Sequence, residues 1–222
     1  WEEVPPLMAD YHEEILNCCK KLRLSSNLAD RSAITEGESH QEYLYRLLKS
    51  EIDYRQNVRI SKLINNAGFP RIYDFGQFRP DEVEFQGTTL DELKTLEFYR
   101  QHKNIIMYGC TGTGKTMLSI CIGTVACQNG IPVKFIRTAA LVNQFSEYKE
   151  RGQLSALKKK LDKADILILY EFGYVPYDRN GAQLLFDYLS EIEDEKVIIL
   201  STNLTGRASD PSLPSSFIPG TE

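Results

Sequence analysis

The feature that most restricts the fold is an eight-residue run, Gly109-Cys110-Thr111-Gly112-Thr113-Gly114-Lys115-Thr116. It stands between an apolar stretch, Ile105 to Tyr108, and a segment carrying Met117, Leu118, Cys121, Ile122 and Val125 on one helical side. The run fits GxxxxGK[ST], a pattern whose mechanism needs a strand before it and a helix after it. Glycines at 109, 112 and 114 allow the backbone to curl, so that successive N–H groups and the helix dipole surround phosphates. Lys115 is expected to reach the β- and γ-phosphates of a bound nucleotide, and the Thr116 hydroxyl to take a position on Mg2+. Cys110, Thr111 and Thr113 complete the loop. Cys110 is read as a variable position, although positive potential there would favour a thiolate.

Three more apolar runs, Val133 to Ile136, Ile166 to Leu169 and Val197 to Leu200, alternate with helical segments. Continuous apolar strands between helices predict an α/β fold, a parallel sheet sandwiched by helices. Composition sets the outer limits. The 222 residues carry a net charge of −5, with 42% hydrophobic and 26% charged side chains. Those values suit one globular α/β domain with an appendage. They argue against a wholly basic nucleic-acid binder, so any DNA contact must be local. The apolar runs are far shorter than the ~20 residues of a membrane helix, and no membrane partner is expected. Five cysteines without CxxC spacing suggest neither a disulfide framework nor a zinc site, which points to a reduced, cytoplasmic compartment.

Residues 8 to 68 read as a small all-helical module. The spacing predicts a helix from about Tyr11 to Leu24, with Asp10 as N-cap and Ile15, Leu16, Cys19 and Leu22 on one side. A second helix runs from about Gln41 to Asn65, with Leu44, Leu47, Leu48 and Ile52 as its apolar stripe. It carries Arg55, Arg59 and Lys62 on one face, with Glu51 four residues before Arg55. That face is either a solvated surface or a DNA-contact patch that follows phosphates. Lys20, Lys21 and Arg23 form a weaker cluster. Residues 69 to 88 read as a linker packed against the domain that follows, and Thr89 to Tyr99 as a helix.

The strand Ile166 to Leu169 leads into Tyr170-Glu171. Nucleotide hydrolases of this layout end that strand Asp-Glu, the Asp holding the Mg2+ hydration shell and the Glu polarising water. Tyr170 is uncharged at neutral pH and offers the metal no anion. Asp165, about 16 Å away at ~3.3 Å per residue, cannot replace it. Glu171 remains the candidate catalytic base. Asn203, in the polar tip Ser201-Thr202-Asn203, would orient the water or sense the γ-phosphate if the last strand lies beside the loop.

Taken together, the loop Gly109 to Thr116, the stretch Glu171-Phe172-Gly173-Tyr174-Val175-Pro176 with Asp178-Arg179 and Gly181, the tip Ser201-Thr202-Asn203 and the run Asn65-Asn66-Ala67-Gly68-Phe69-Pro70 carry a resemblance. Over about residues 8 to 204 the chain resembles the AAA+ ATPases of the DnaC and IstB group, most of all the IstB-like helpers of insertion sequences. The resemblance implies an AAA+ P-loop core over 89 to 204 that binds ATP and Mg2+. It also implies homo-oligomers that bind duplex DNA and deliver it to a transposase, and it strengthens Arg55, Arg59 and Lys62 as DNA contacts. A helicase loader of the same group and a non-catalytic gene product remain open. The chain departs from the family pattern at Tyr170 and after Asn203. A fifth strand, an intersubunit arginine and closing helices do not follow there. Residues 205 to 222 read as a disordered tail on an incomplete core, and residues 1 to 7 as a remnant. Hydrolysis is expected to be impaired.

Overall fold

A computed structural model describes residues 11–80, 83–173 and 179–203. Contacts divide the chain between Arg59 and Ile60 into two units. The first unit holds α1 (His12–Leu22), α2 (Asn27–Ile34) and most of α3 (His40–Ala67). Its apolar centre is small, with Cys19, Leu28 and Leu47 buried and Ile15, Leu24 and Tyr43 packed around them. A polar network does much of the remaining joining. Glu51 is buried and accepts hydrogen bonds from the Ser25 backbone N–H at 2.8 Å, from the Ser25 hydroxyl, and from Arg55 Nε at 2.7 Å. Arg55 also donates to the Arg23 carbonyl, and the Tyr43 hydroxyl to the Ser32 carbonyl at 3.0 Å. The predicted stripe on α3 is therefore displaced. Leu47 is buried, whereas Leu44, Leu48 and Ile52 are exposed, because α1 and α2 pack against the side that carries Tyr43, Leu47 and Glu51. Asp10 lies outside the described residues, and α1 starts after Tyr11, whose side chain makes no cap.

The second unit is built on four parallel strands, β1 (Ile105–Tyr108), β2 (Val133–Arg137), β3 (Ile166–Phe172) and β4 (Val197–Thr202), in the order β1-β4-β3-β2. Alternate residues of β3 and β4 feed two separate cores. Ile166, Ile168, Val197 and Ile199 join α6 (Lys115–Gln128), while Leu167, Leu169, Ile198 and Leu200 join α7 (Thr138–Glu150), α8 (Leu154–Leu161) and α9 (Arg179–Ile192). Burial on both faces is why these strands are apolar without alternation. Gly181 lets α9 approach α7, since a Cβ there would lie 2.6 Å from the Val142 carbonyl oxygen.

The segment after α3 is tightly packed. Phe78 is buried, Phe69, Tyr73, Phe75 and Phe85 line the α6 core, and a Cβ on Gly123 of α6 would meet the Phe69 ring at 2.7 Å. The helix expected over 89 to 99 is split into α4 (Leu90–Thr95) and α5 (Glu97–Arg100) by Leu96, a buried residue in the left-handed region at φ 59°. That turn lets Leu93, Leu96 and Phe98 all enter the core. Thr89 and Glu92 form a reciprocal capping box at the start of α4. Among the described residues no helix is long and apolar enough to cross a membrane.

Candidate nucleotide site

The glycine-rich run forms the turn from β1 into α6. Gly109, Gly112 and Gly114 have φ of 142°, 90° and 81°, conformations that L side chains rarely adopt. Gly114 is the N-cap of α6 and has no side chain to cap it, so the N–H groups of the first turn face the loop without a side-chain acceptor. Lys115 folds back over this turn, its Nζ 2.7 Å from the carbonyl oxygens of Gly109 and Cys110 and 3.3 Å from Thr113 Oγ1. Thr113 in turn donates to the Cys110 carbonyl at 3.0 Å. Desolvation pushes the Lys115 pKa below its ordinary value, and no carboxylate among the described residues pairs with it. A half-buried ammonium satisfied only by neutral oxygens, beside an uncapped helix N-terminus, is a site made for an anion. Thr116 is exposed on the first turn of α6. Phe78 supports the loop from below, 3.4 Å from where a Gly114 Cβ would stand.

Parallel pairing of β1 with β4 sets Tyr108 opposite Thr202, which brings Asn203 to the loop: its Nδ2 lies 3.3 Å from Thr111 Oγ1. Glu171 lies one strand further away. Between Leu169 and Phe172 two residues of β3 oppose one of β4, a bulge, and Glu171 takes φ 57° within it. Hydrogen bonds fix both sides of the bulge, from Thr138 Oγ1 to the Tyr170 carbonyl at 3.0 Å and from Thr202 Oγ1 to the Phe172 carbonyl at 2.8 Å. The Glu171 carboxylate meets Arg137 Nε at 2.5 Å, at the end of β2. Sequence reasoning missed Arg137, whose only signal was its place as the last residue of an apolar strand.

Tyr170 points to the α6 side, where its ring stacks on Phe135 at 4.5 Å between centroids and 15° between planes. Phe69 continues the aromatic row, 5.7 Å from Phe135. The position at which nucleotide hydrolases of this layout carry an Asp is therefore occupied by a packed ring. On α3 Arg55 is committed to Glu51 and the Arg23 carbonyl, while Arg59 and Lys62 are exposed and make no ion pair with a described residue. Lys20, Lys21 and Arg23 are exposed on and just after α1. Residues 174 to 178, which carry part of the motif after Glu171, lie outside the described residues, as do 205 to 222.

A positive-φ glycine turn, a lysine clamp and a parallel sheet that brings a polar strand tip to the turn define a P-loop nucleotide-binding protein. Residues 19–210 match the model of the IstB-like ATP-binding protein family, and the chain belongs to that family. Relatives include a protein of Geobacillus stearothermophilus named as an ATP-binding protein of insertion sequence IS5376. It is 33% identical over 202 residues, spanning 86% of this chain and 78% of the relative. The corresponding protein of insertion sequence IS21 from Pseudomonas aeruginosa is 30% identical over 169 residues, 74% of this chain and 63% of the relative. Among solved structures, AMPPCP-bound DnaA from Aquifex aeolicus aligns with 59% of this chain and 42% of its own at 23% identity and a TM-score of 0.49, a likeness too distant to bear on function.

Proposed function

We propose that this chain is the ATP-dependent helper of an insertion-sequence transposase. It binds ATP at the loop Gly109 to Thr116, assembles on duplex DNA as a homo-oligomer, and recruits or stimulates the transposase, with hydrolysis slowed by Tyr170. The observation that carries the reading is the uncompensated Lys115 within the glycine turn, in a chain whose relatives are named for insertion sequences. ATP entry requires Lys115 to release the carbonyls of Gly109 and Cys110 and turn its ammonium to the phosphates. The N–H groups of the first α6 turn then point at the anion.

Of the residues near the loop, the Thr116 hydroxyl is the one suited to Mg2+, and the nucleotide phosphates would supply most of the remaining ligands. The bound metal would neutralise phosphate charge; Tyr170 adds none of the anionic support that a carboxylate would give. Asn203 would hold a water or a γ-phosphate oxygen with the amide that now touches Thr111. Glu171 can act as base only after exchanging its contact with Arg137 for a water. Arg59 and Lys62 are the cations of α3 left for DNA phosphates, whereas Arg55 serves the helical unit.

The test compares ATP-induced thermal stabilisation, duplex binding and turnover in the wild type with those of Lys115→Ala and Tyr170→Asp. The reading expects ATP to raise the melting temperature of the wild type but not of Lys115→Ala, and expects Tyr170→Asp to increase turnover. Wild-type turnover equal to that of a relative with Asp at this position would overturn the role of Tyr170. A wild type that ATP does not stabilise would overturn the whole reading. Co-precipitation with the cognate transposase, and its failure with a replicative helicase, completes the assignment.

A further inference from the structure

Helix α8 turns cations to solvent and no carboxylate. Leu157 and Leu161 are buried and Leu154 packs beside them, so the opposite face exposes Ser155, Ala156, Lys159 and Lys160, with Lys163 exposed in the turn that follows. Of the nearby acids one is paired with a lysine, and two keep their charge while contacting hydroxyls. Glu191 takes Lys158 at 2.5 Å, Asp162 accepts the Tyr188 hydroxyl at 2.9 Å, and Asp165 lies 3.5 Å from the Tyr99 hydroxyl. Lys196 brings another ammonium to the same turn, 2.9 and 2.7 Å from the carbonyl oxygens of Asp162 and Ala164. Lys134 of β2 reaches across the strand edge to the Asn66 carbonyl at 2.9 Å, and its pKa is depressed by burial and then by the charge of Lys160. Lys159, Lys160 and Lys163 make no ion pair with a described residue. In a chain of net charge −5, Lys159, Lys160 and Lys163 are thus held close together on rigid elements, with Asp162 as the acid among them.

Water and counterions screen the repulsion among these exposed lysines, and a polyanion that takes their place gains the release of counterions. We infer that the outer face of α8, together with Lys134, is a phosphate-backbone contact for duplex DNA, distinct from the basic residues of α3. The inference rests on the duplex-binding reading above and names a surface within the sheet unit. Double-stranded DNA suits the face better than a single strand, because binders of single strands add aromatic side chains on which bases stack, and this face offers Ser155 and Ala156 between its lysines. Ammonium groups without base-reading partners contact phosphates irrespective of sequence.

The experiment is fluorescence anisotropy of the full chain with ATP and a labelled duplex of arbitrary sequence, between 50 and 200 mM salt, for the wild type and for Lys159→Gln/Lys160→Gln/Lys163→Gln. Every phosphate that a lysine no longer neutralises makes the slope of log K against log salt shallower by about 0.9. The triple variant is expected to have a slope shallower by roughly 2 to 3 and to bind at least about tenfold more weakly near 100 mM salt. ATP-induced stabilisation should stay at the wild-type value. A variant with unaltered affinity and slope overturns this inference and leaves the duplex-binding reading standing. A wild type that binds no duplex overturns both, and competition by polyglutamate as strong as that by duplex overturns the choice of DNA.

Discussion

Glu171 combines a strained backbone with an ion pair, and the two effects have opposite signs. The left-handed conformation costs a non-glycine residue about 1 to 2 kcal/mol. Its contact with Arg137 is half exposed on both sides, and so contributes about 0 to 1 kcal/mol. Glu171→Gly is therefore expected to leave stability within about 1 kcal/mol of the wild type, on either side, while abolishing any residual ATP turnover. Chemical denaturation and a phosphate-release assay on one preparation read both quantities. A loss of several kcal/mol would show that the carboxylate is structural. Tyr170 presents the converse arrangement, since its ring is packed against Phe135 and an aspartate there would surrender the stack. An acid at position 170 would add a negative charge beside the proposed site and lose packing, which is why turnover and stability need separate readings for that variant.

The helical unit has few apolar contacts, so its stability falls on the Glu51 network. Burial draws the Glu51 carboxyl upward, but the hydrogen bonds from Ser25 and Arg55 outweigh it and hold its pKa below the ordinary value. A depressed carboxyl contributes stability above its unfolded pKa, near 4.3, and that contribution is lost as pH falls through the folded value. Helical signal from this unit should therefore decline below about pH 4.3, and Glu51→Ala should destabilise the unit by about 3 kcal/mol and remove that acid transition. An unchanged acid titration by circular dichroism would contradict the assignment. Helix α6 carries the opposite kind of defect. Thr124 is buried and its hydroxyl has no hydrogen-bond partner among the described residues, so Thr124→Val should raise stability by about 1 kcal/mol in a urea titration. The four strands and the loop between β1 and α6 were legible in the sequence because their apolar runs and their glycines act locally. Helix α2 was not, because eight residues held by Ser25, Tyr43 and Arg31 contacts show no periodic pattern of their own. The bulge at Glu171 was equally hidden, since no glycine marks it and it depends on Thr138 and Thr202 from other elements.

Across the whole chain, the two units are held together by different physics. The sheet unit buries continuous apolar strands and leaves an anion-ready turn at one end, whereas the helical unit leaves Leu44, Leu48 and Ile52 in water and closes itself with a buried carboxylate. The five cysteines are divided by the same packing. Cys19, Cys121 and Cys127 are buried, and burial lifts the thiols of Cys121 and Cys127 to about 11, while Cys18 and Cys110 are exposed. Replacing Cys18 with serine would leave one accessible thiol, and that thiol stands in the turn that closes around phosphate. Its alkylation rate then becomes a direct gauge of occupancy: iodoacetamide should label one sulfur per native chain, more slowly as ATP is added, and the half-protection concentration gives the nucleotide dissociation constant without any label on the ligand.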